Sequence, residues 1–209
     1  MPLPPLKDQF DALLRLPSIS CTQADLDQSN LPVVELLASW LNDLGFECRI
    51  LPIANQPGKA NLLASFGSGP GGLVMAGHTD TVPCNPERWQ HNPFALTEAN
   101  NRWYGLGSCD MKGFFPLIIE AVRSYLNQPF KHPLIILATA DEESSMSGAR
   151  ALVAADFSQA RHAIIGEPTG MRPIRLHKGI MMERIDIIGQ AGHSSDPSLG
   201  HNAMEAMHA

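Results

Sequence analysis

Acidic and imidazole side chains recur at one kind of place in this sequence, directly after a short apolar segment or in a glycine-rich turn. Imidazole nitrogen and carboxylate oxygen are ligands that zinc, cobalt and manganese accept in proteins. Several carboxylates close together repel one another unless cations neutralise them, so their number indicates two metal ions with one carboxylate bridging both. The side chains concerned are His78, Asp80, Asp110, Glu142, Glu143 and Glu167.

The histidine and the first aspartates each have two interpretations. In "GHTDTVP", His78 is a plausible metal ligand, and Asp80 is close enough in sequence to accept the other imidazole N–H and fix the tautomer. Taken alone, a His-x-Asp sequence favours an ordinary hydrogen-bonded histidine in a turn. Asp110 also has an alternative role, because an aspartate before a helix commonly caps it.

The adjacent glutamates carry more information. Glu142 and Glu143 follow an apolar segment, and neighbouring residues at a strand end point in different directions. One side chain can therefore bind a metal ion while the other acts as the general base toward an activated water. Each acid alone is also compatible with a solvated loop, and Glu167, before Pro168, with an ordinary turn. The joint pattern favours metal-dependent hydrolysis.

The apolar segments that end at these side chains predict strands of a mostly parallel sheet. Amphipathic segments separate them, one over about residues 112–126 and one within "SMSGARALVAADF", and both predict helices. Ligands of such sheets lie at the carboxyl ends of the strands. The predicted α/β fold therefore places the polar side chains on one edge. The three segments are Leu73–Gly77, Leu134–Ala140 and Ala163–Gly166.

Further elements precede and follow this alternation. Residues 5–16 and "NLPVVELLASWLNDLG" predict two helices, while "FECRILPI" and "NLLASF" predict a pair of strands. After residue 177 the pattern changes to a predicted strand, "MMERIDIIGQ", a loop and the start of a helix. We therefore expect a metal-binding catalytic domain over residues 1–177 and the beginning of a second domain over residues 178–209.

Composition restricts the class of protein. Hydrophobic residues make up 44% of the 209 residues and charged residues 17%, which predicts a folded core. The formal net charge of −6 argues against nucleic acid or an anionic membrane as a partner. No run approaches the ~18 apolar residues of a membrane span, and the N-terminus lacks the apolar core of a signal peptide. With four scattered cysteines, expected to be free thiols, the sequence predicts a cytoplasmic protein.

Five motifs in order resemble those of the two-zinc amidohydrolases that include aminoacylase, succinyl-diaminopimelate desuccinylase and acetylornithine deacetylase. The resemblance extends from the N-terminal helix to the last residue and is closest to the bacterial acetylornithine deacetylases. It implies a zinc-peptidase-like catalytic domain, a mostly parallel mixed sheet flanked by helices, into which an α+β dimerisation domain is inserted. The motifs are "GHTDTVP", "GLGSCDMKG", "ATADEESSMSGA", "IIGEPT" and "GQAGHSSDP".

The same resemblance implies a role for each site residue. Four residues would bind two divalent ions, zinc or cobalt, with the aspartate bridging both; these ligands are His78, Asp110, Glu143 and Glu167. Three others would act in catalysis, as the general base, as the residue that orients the histidine ligand, and as a histidine that reaches a neighbouring subunit's site and helps hold the oxyanion. They are Glu142, Asp80 and His193, respectively.

The implied activity is hydrolysis of N2-acetyl-L-ornithine, an acyl-amino acid of arginine biosynthesis, by a homodimer. Another acyl-amino-acid deacylase of the family and a catalytically silent metal-binding module are the alternatives. A last histidine ligand of the family has no match up to Ala209, so we expect an incomplete fragment with weak or no activity alone. A dinucleotide-binding protein is disfavoured, because "GSGPGG" precedes a strand and does not join a strand to a helix.

Overall fold

A computed structural model describes residues 3–152, 160–176, 178–179, 181 and 183–208. The chain forms two compact units, Met1–Met171 and Arg172–Ala209. The first unit carries every predicted metal ligand, and the second carries His193. Within the described residues, no helix is long and apolar enough to cross a membrane.

Two helices open the first unit, α1 over Leu6–Leu14 and α2 over Leu31–Asp43, in agreement with the two predicted helices. In α2, apolar side chains recur at intervals of three and four residues, so one face of the helix is apolar and turns toward the core. Gly45, with a φ of +88°, follows in the left-handed conformation that ends many helices. The buried face consists of Val33, Val34, Leu37, Trp40 and Leu41.

The strands of the described residues form one five-stranded sheet and one separate hairpin. They are β1 (Glu47–Pro52), β2 (Ala60–Phe66), β3 (Gly72–His78), β4 (Thr97–Ala99), β5 (Arg102–Tyr104), β6 (Leu134–Thr139) and β7 (Ala160–Ile165). The sheet has the order β1-β2-β6-β3-β7, and β4 pairs with β5. β2 is antiparallel to both of its neighbours, while β6, β3 and β7 are parallel. Four of the five strands therefore run in one direction.

This topology brings the carboxyl ends of β6, β3 and β7 to the same edge of the sheet. His78, the last residue of β3, lies opposite Thr139 of β6, and Ala76 lies opposite Ile165 of β7. The predicted α/β fold with a mostly parallel mixed sheet is confirmed. Polar side chains that follow these three strands consequently emerge close together.

Helix α3, over Phe114–Arg123, precedes β6 in the chain. Pro116 is in its first turn, where the missing N–H is not needed. Its buried residues Phe115, Ile118 and Ile119 belong to one core with α2 and the inner faces of β2 and β6. Helix α4, over Ser147–Ala151, is the described part of the next predicted helix, and the remainder of that prediction lies outside the described residues.

Three features of the fold differ from the predictions. The hairpin of β4 and β5 was not predicted, since three-residue strands are too short for a periodic pattern. The predicted strand "MMERIDIIGQ" is wrong, because its described residues 183–189 form no strand and Ile185 and Ile188 are exposed without a partner strand. β7 is mostly exposed, whereas a strand of a parallel sheet was expected to be buried on both faces. The helix predicted near the end is confirmed as α5, Ala203–His208.

Candidate metal centre

His78 lies buried at the end of β3, with only 1% of its side chain exposed. Its Nδ1 lies 3.0 Å from the backbone oxygen of Asp80. A carbonyl oxygen only accepts, so this contact assigns the proton to Nδ1, which donates the hydrogen bond. In the neutral imidazole, Nε2 then carries a lone pair, as a metal ligand requires.

The lone pair of Nε2 faces carboxylate oxygens. Asp110 Oδ1 lies 3.3 Å from Nε2, Glu167 Oε1 lies 3.8 Å away and Glu142 Oε2 lies 4.0 Å away. An imidazole lone pair and three carboxylates repel one another unless a proton or a metal cation lies between them. The arrangement therefore fits a cation at this position.

Ligand atoms of the site fall into two triads, each with its atoms within 4.8 Å of one another. One triad is His78, Asp110 and Glu143, and the other is His78, Glu142 and Glu167. One nitrogen and several carboxylate oxygens suit zinc, cobalt or manganese. The carboxylate side chains are partly exposed, 53% for Asp110 and 39% for Glu167, so solvent and ligands reach them.

The charges of the site shift the pKa of its histidine. Burial alone would lower the pKa of His78, but the Asp80 side chain, together with the charges of Glu167 and Glu142, raises it to about 9. In the absence of a metal ion, His78 therefore tends to hold a second proton. A metal ion bound at Nε2 replaces that proton, so metal binding and protonation compete.

Two of the glutamates hold their protons more tightly than usual. Burial, with repulsion from the carboxylates of Asp110, Glu142 and Asp80, raises the pKa of Glu143 to about 6 against the opposing effect of His78. The same causes, burial first, raise the pKa of Glu167. Burial is the larger cause of both shifts, and repulsion among the carboxylates adds to it; a bound metal ion would relieve that repulsion.

Asp80 connects the two sides of this site. It is fully buried, and its Oδ2 accepts a hydrogen bond of 3.0 Å from the backbone N–H of Glu143. Its Oδ1 lies 3.6 Å from His78 Nδ1, beyond hydrogen-bond distance, and has no hydrogen-bond partner among the described residues. The contact with the imidazole thus runs through the backbone oxygen of Asp80. Orientation of His78 by the Asp80 side chain stays a prediction.

Asp110 comes from the loop before α3 and reaches the edge of the sheet because the following residues pack closely on β3. The N-cap of α3 is Gly113, without a side-chain hydrogen bond, so Asp110 does not cap this helix. A Cβ atom at Gly77 of β3 would lie 2.6 Å from the Cε of Met111. The absence of a side chain at Gly77 lets Met111, and with it Asp110, approach the strand.

Within the first unit, the structure brings five of the predicted residues together. His78 and the carboxylates of Asp110, Glu142, Glu143 and Glu167 form one cluster, with buried Asp80 directly beneath. His193 lies in the second unit, where it is exposed and its Nδ1 is 2.7 Å from Ser195 Oγ. Its predicted role at the active site therefore stays a prediction.

Two buried ionic groups close to the site have no signal in the local sequence. Asp141 stands in an acidic run with Glu142 and Glu143, yet its side chain turns inward and pairs with Lys59 over 2.8 Å. Lys112 is also buried, and its Nζ donates to the backbone oxygens of Leu13 and Leu16. A lysine buried by tertiary contacts has the same local sequence as an exposed one, so no sequence signal distinguishes them.

The sheet topology and the candidate metal ligands are those of a metal-dependent hydrolase, and the comparison with protein-family profiles agrees. The profile of Peptidase family M20/M25/M40 matches residues 74–207, and the chain belongs to this family. The match covers the strands and loops that bear every residue of the cluster. Motif resemblance, sheet topology and ligand chemistry therefore agree on one class of protein.

Within the family, the chain is similar to acetylornithine deacetylases. It is 52% identical to that of Salmonella arizonae and 53% identical to that of Klebsiella pneumoniae, over 206 residues in each case. These residues are 99% of this chain and 54% of each relative. The chain thus spans about half the length of the curated relatives it matches.

Two solved structures share the fold at lower identity. Human carnosine dipeptidase 1 superposes with a TM-score of 0.66 and 21% identity, covering 77% of this chain and 37% of the dipeptidase. The metallo-carboxypeptidase Sso-CP2 of Sulfolobus solfataricus gives a TM-score of 0.66 at 20% identity, covering 78% and 37% of the two chains. These similarities establish the architecture.

Proposed function

We propose that this protein hydrolyses N2-acetyl-L-ornithine to L-ornithine and acetate in a metal-dependent reaction of arginine biosynthesis. The observation that carries the proposal is the convergence of His78 with four carboxylates at the carboxyl ends of the parallel strands β6, β3 and β7. The similarity to acetylornithine deacetylases over nearly the whole chain supports the choice of substrate. Alternative substrates of the same chemistry are outcomes of the test below.

We assign two divalent ions to the site, zinc with cobalt as a substitute. His78 and Glu167 would hold the first ion, Glu143 the second, and Asp110 both. The bridging place of Asp110 is supported by its distance of 3.3 Å from His78 Nε2 and by its position in one triad with both His78 and Glu143. When bound, the ions would lower the pKa of a water molecule and polarise the acyl carbonyl.

The chain itself supplies the proton transfers. Glu142 would take a proton from the attacking water and pass it to the amine nitrogen that leaves, so that the amine departs neutral. Its side chain is 38% exposed and lies within 4.0 Å of His78 Nε2, so it is accessible to substrate while remaining at the metal position. Glu142 is grouped with His78 and Glu167, whereas its neighbour Glu143 is grouped with His78 and Asp110. This difference allows the two acids separate roles.

Asp80 would act by holding these groups in place. Its backbone oxygen accepts the Nδ1–H of His78, which keeps Nε2 directed at the metal position, and its Oδ2 fixes the backbone of Glu143. Such partners behind a metal ligand set its tautomer and orientation. Asp80 thereby couples the geometry of the histidine ligand to that of the ligand on the other triad.

We further propose a cytoplasmic homodimer in which His193 from the second unit reaches the site of the neighbouring subunit. There its imidazole would donate to the oxygen on which negative charge develops. The exposure of His193 accords with a group that meets its target across an interface. His193→Ala should lower kcat far more than metal content, whereas a residue with a local loop role would change neither.

The test is a substrate panel measured on metal-depleted protein before and after addition of zinc or cobalt. N2-acetyl-L-ornithine, N-succinyl-L,L-diaminopimelate and N-acetyl-L-methionine share the scissile amide and differ in acyl group or side chain. Metal-dependent cleavage with the highest kcat/KM for acetylornithine is expected. Preference for another substrate contradicts the substrate assignment and leaves the mechanism intact. Metal binding without any cleavage indicates a silent binding module.

A further inference from the structure

Asp141, the residue before the two glutamates of the site, turns away from the metal position into the protein. Its side chain is 6% exposed. The carboxylate accepts from three donors that belong to separate segments of the chain. These donors are Lys59 Nζ at 2.8 Å, Ser20 Oγ at 3.1 Å and Ser147 Oγ at 2.7 Å.

The backbone at Asp141 needs such anchors, because it starts a tight turn. Asp141 has a φ of +55°, a left-handed conformation that non-glycine residues adopt at a cost. The turn is closed by a hydrogen bond from Met146 N–H to the Asp141 backbone oxygen, at 2.7 Å. Glu142 and Glu143 lie inside this turn, so its conformation sets the directions of both side chains.

Lys59 is the cation that neutralises Asp141. Its side chain is 5% exposed, and it also pairs with Asp27 Oδ1 at 2.8 Å. A carboxylate buried beside a site already rich in carboxylates is unfavourable unless a cation compensates it. Asp27 differs from Asp141 in two respects that make it a control. Its side chain is 32% exposed and it contributes no backbone to the turn.

We propose that Lys59 and Asp141 are positioning residues for this enzyme, which hold the turn that directs Glu142 to the reacting atoms and Glu143 to the metal. The proposal rests on the proposed hydrolase function for its kinetic consequence. Both residues act on the turn and not directly on substrate or metal. Its structural consequence, an ordered turn over residues 141–146, holds whatever substrate the protein takes.

The experiment compares Lys59→Met, Asp141→Asn and the double variant with Asp27→Asn as the matched control. Asp27→Asn removes the same chemical group from the same ammonium without touching the turn. Amide hydrogen exchange is followed at Glu143 and Met146, and kcat and KM are measured for N2-acetyl-L-ornithine with zinc. Circular dichroism and the unfolding midpoint establish that each variant folds, and Asp141→Asn carries the test if Lys59→Met does not fold.

Asp141→Asn and Lys59→Met should speed exchange at these amides by about tenfold or more, since the turn opens more often. They should lower kcat by about 10–100-fold with little change in KM, as expected for a misplaced base. The double variant should be no worse than the poorer single variant, because both act through one turn. Asp27→Asn should leave exchange and kcat near the wild-type values.

Two results would overturn the proposal. One is wild-type exchange and kcat in folded Asp141→Asn. The other is an equal loss in Asp27→Asn, which would make the network a general stabilising feature. If the wild-type protein cleaves no acyl-amino acid, the proposed function fails, and the exchange comparison still decides whether the pair orders the turn.

Discussion

The Oδ2 of Asp80 accepts a hydrogen bond from the backbone N–H of Glu143 over 3.0 Å, joining the end of β3 to the turn after β6. Asp80 also offers its backbone oxygen to His78, so one buried residue contacts both a histidine and a glutamate of the cluster. Because His78 ends β3 and Glu143 lies in the turn after β6, the separation of these two groups is set by Asp80 and by the pairing of β3 with β6. The geometry of the site therefore depends on the pairing of these strands as well as on the individual side chains.

Asp80→Asn should weaken metal binding. The carboxylate directs one oxygen to the Glu143 N–H and the other toward His78 Nδ1. An amide has only one oxygen, so its NH2 group would replace one of these two acceptors. We expect zinc affinity to fall by about 10–100-fold, the usual effect of losing a residue that supports a metal ligand. Competition with a chromophoric chelator measures the affinity, with the exposed Asp25→Asn as control. Wild-type affinity in Asp80→Asn would refute this role.

Gly77→Ala should destabilise the protein through the loop that carries Asp110. The new Cβ would lie 2.6 Å from Met111 Cε and 3.1 Å from the Phe114 ring, and Met111 is fully buried. Overpacking of this kind lowers the free energy of unfolding by about 1–3 kcal/mol. Urea unfolding measures it.

Gly179→Ala is the control for this substitution, since, apart from its chain neighbours, no heavy atom of the described residues lies within 4 Å of its added Cβ. It should change the free energy of unfolding by less than about 0.5 kcal/mol. Equal effects of the two substitutions would mean that the close approach at Gly77 does not constrain the loop.

The Cys48 thiol gives the free energy of unfolding a defined pH dependence. Burial raises the pKa of Cys48 to about 11 in the folded protein, whereas an unfolded thiol ionises near pH ~8.5. Between these values the unfolded state binds fewer protons than the folded state, so stability falls as pH rises. The fall is at most about 1.4 kcal/mol per pH unit and is absent below about pH 8.

Comparison with Cys48→Ala isolates this contribution, because the other ionisable groups are common to both proteins. The free energies of unfolding of the two should differ by a constant amount up to about pH 8 and converge or cross as pH rises toward 10. Guanidinium unfolding at several pH values measures the difference. A difference that does not vary with pH would show that the thiol ionises equally in both states.

The sequence was informative where chemistry coincides with a local pattern. His78 and Glu167 follow apolar segments, and the parallel pairing of those segments is enough to bring them to one edge. A prediction from local sequence failed in the second unit, where "MMERIDIIGQ" was expected to be a strand and its described residues 183–189 form none. A strand depends on a partner to pair its backbone, and periodicity carries no information about whether that partner is present.

Contacts between distant segments could not be predicted. The hydrogen bond from Glu143 to Asp80 uses a backbone N–H that every residue but proline has, and Lys59 meets Asp141 only after both chain segments have folded. The hairpin of β4 and β5 offered one local signal. Its turn residues Asn100 and Asn101 both have positive φ, which asparagine tolerates and two-residue hairpins favour.

The central claim is that two adjacent acids have different tasks, Glu142 moving the proton and Glu143 binding metal. Glu142→Gln and Glu143→Gln remove the same charge one residue apart, so each controls for the other. Zinc content and kcat for N2-acetyl-L-ornithine, measured on both variants, test the claim most directly. We predict that Glu142→Gln keeps its zinc and loses about 10²–10⁴-fold in kcat, while Glu143→Gln loses zinc. Full activity in Glu142→Gln, or loss of zinc from Glu142→Gln with retention in Glu143→Gln, would contradict it.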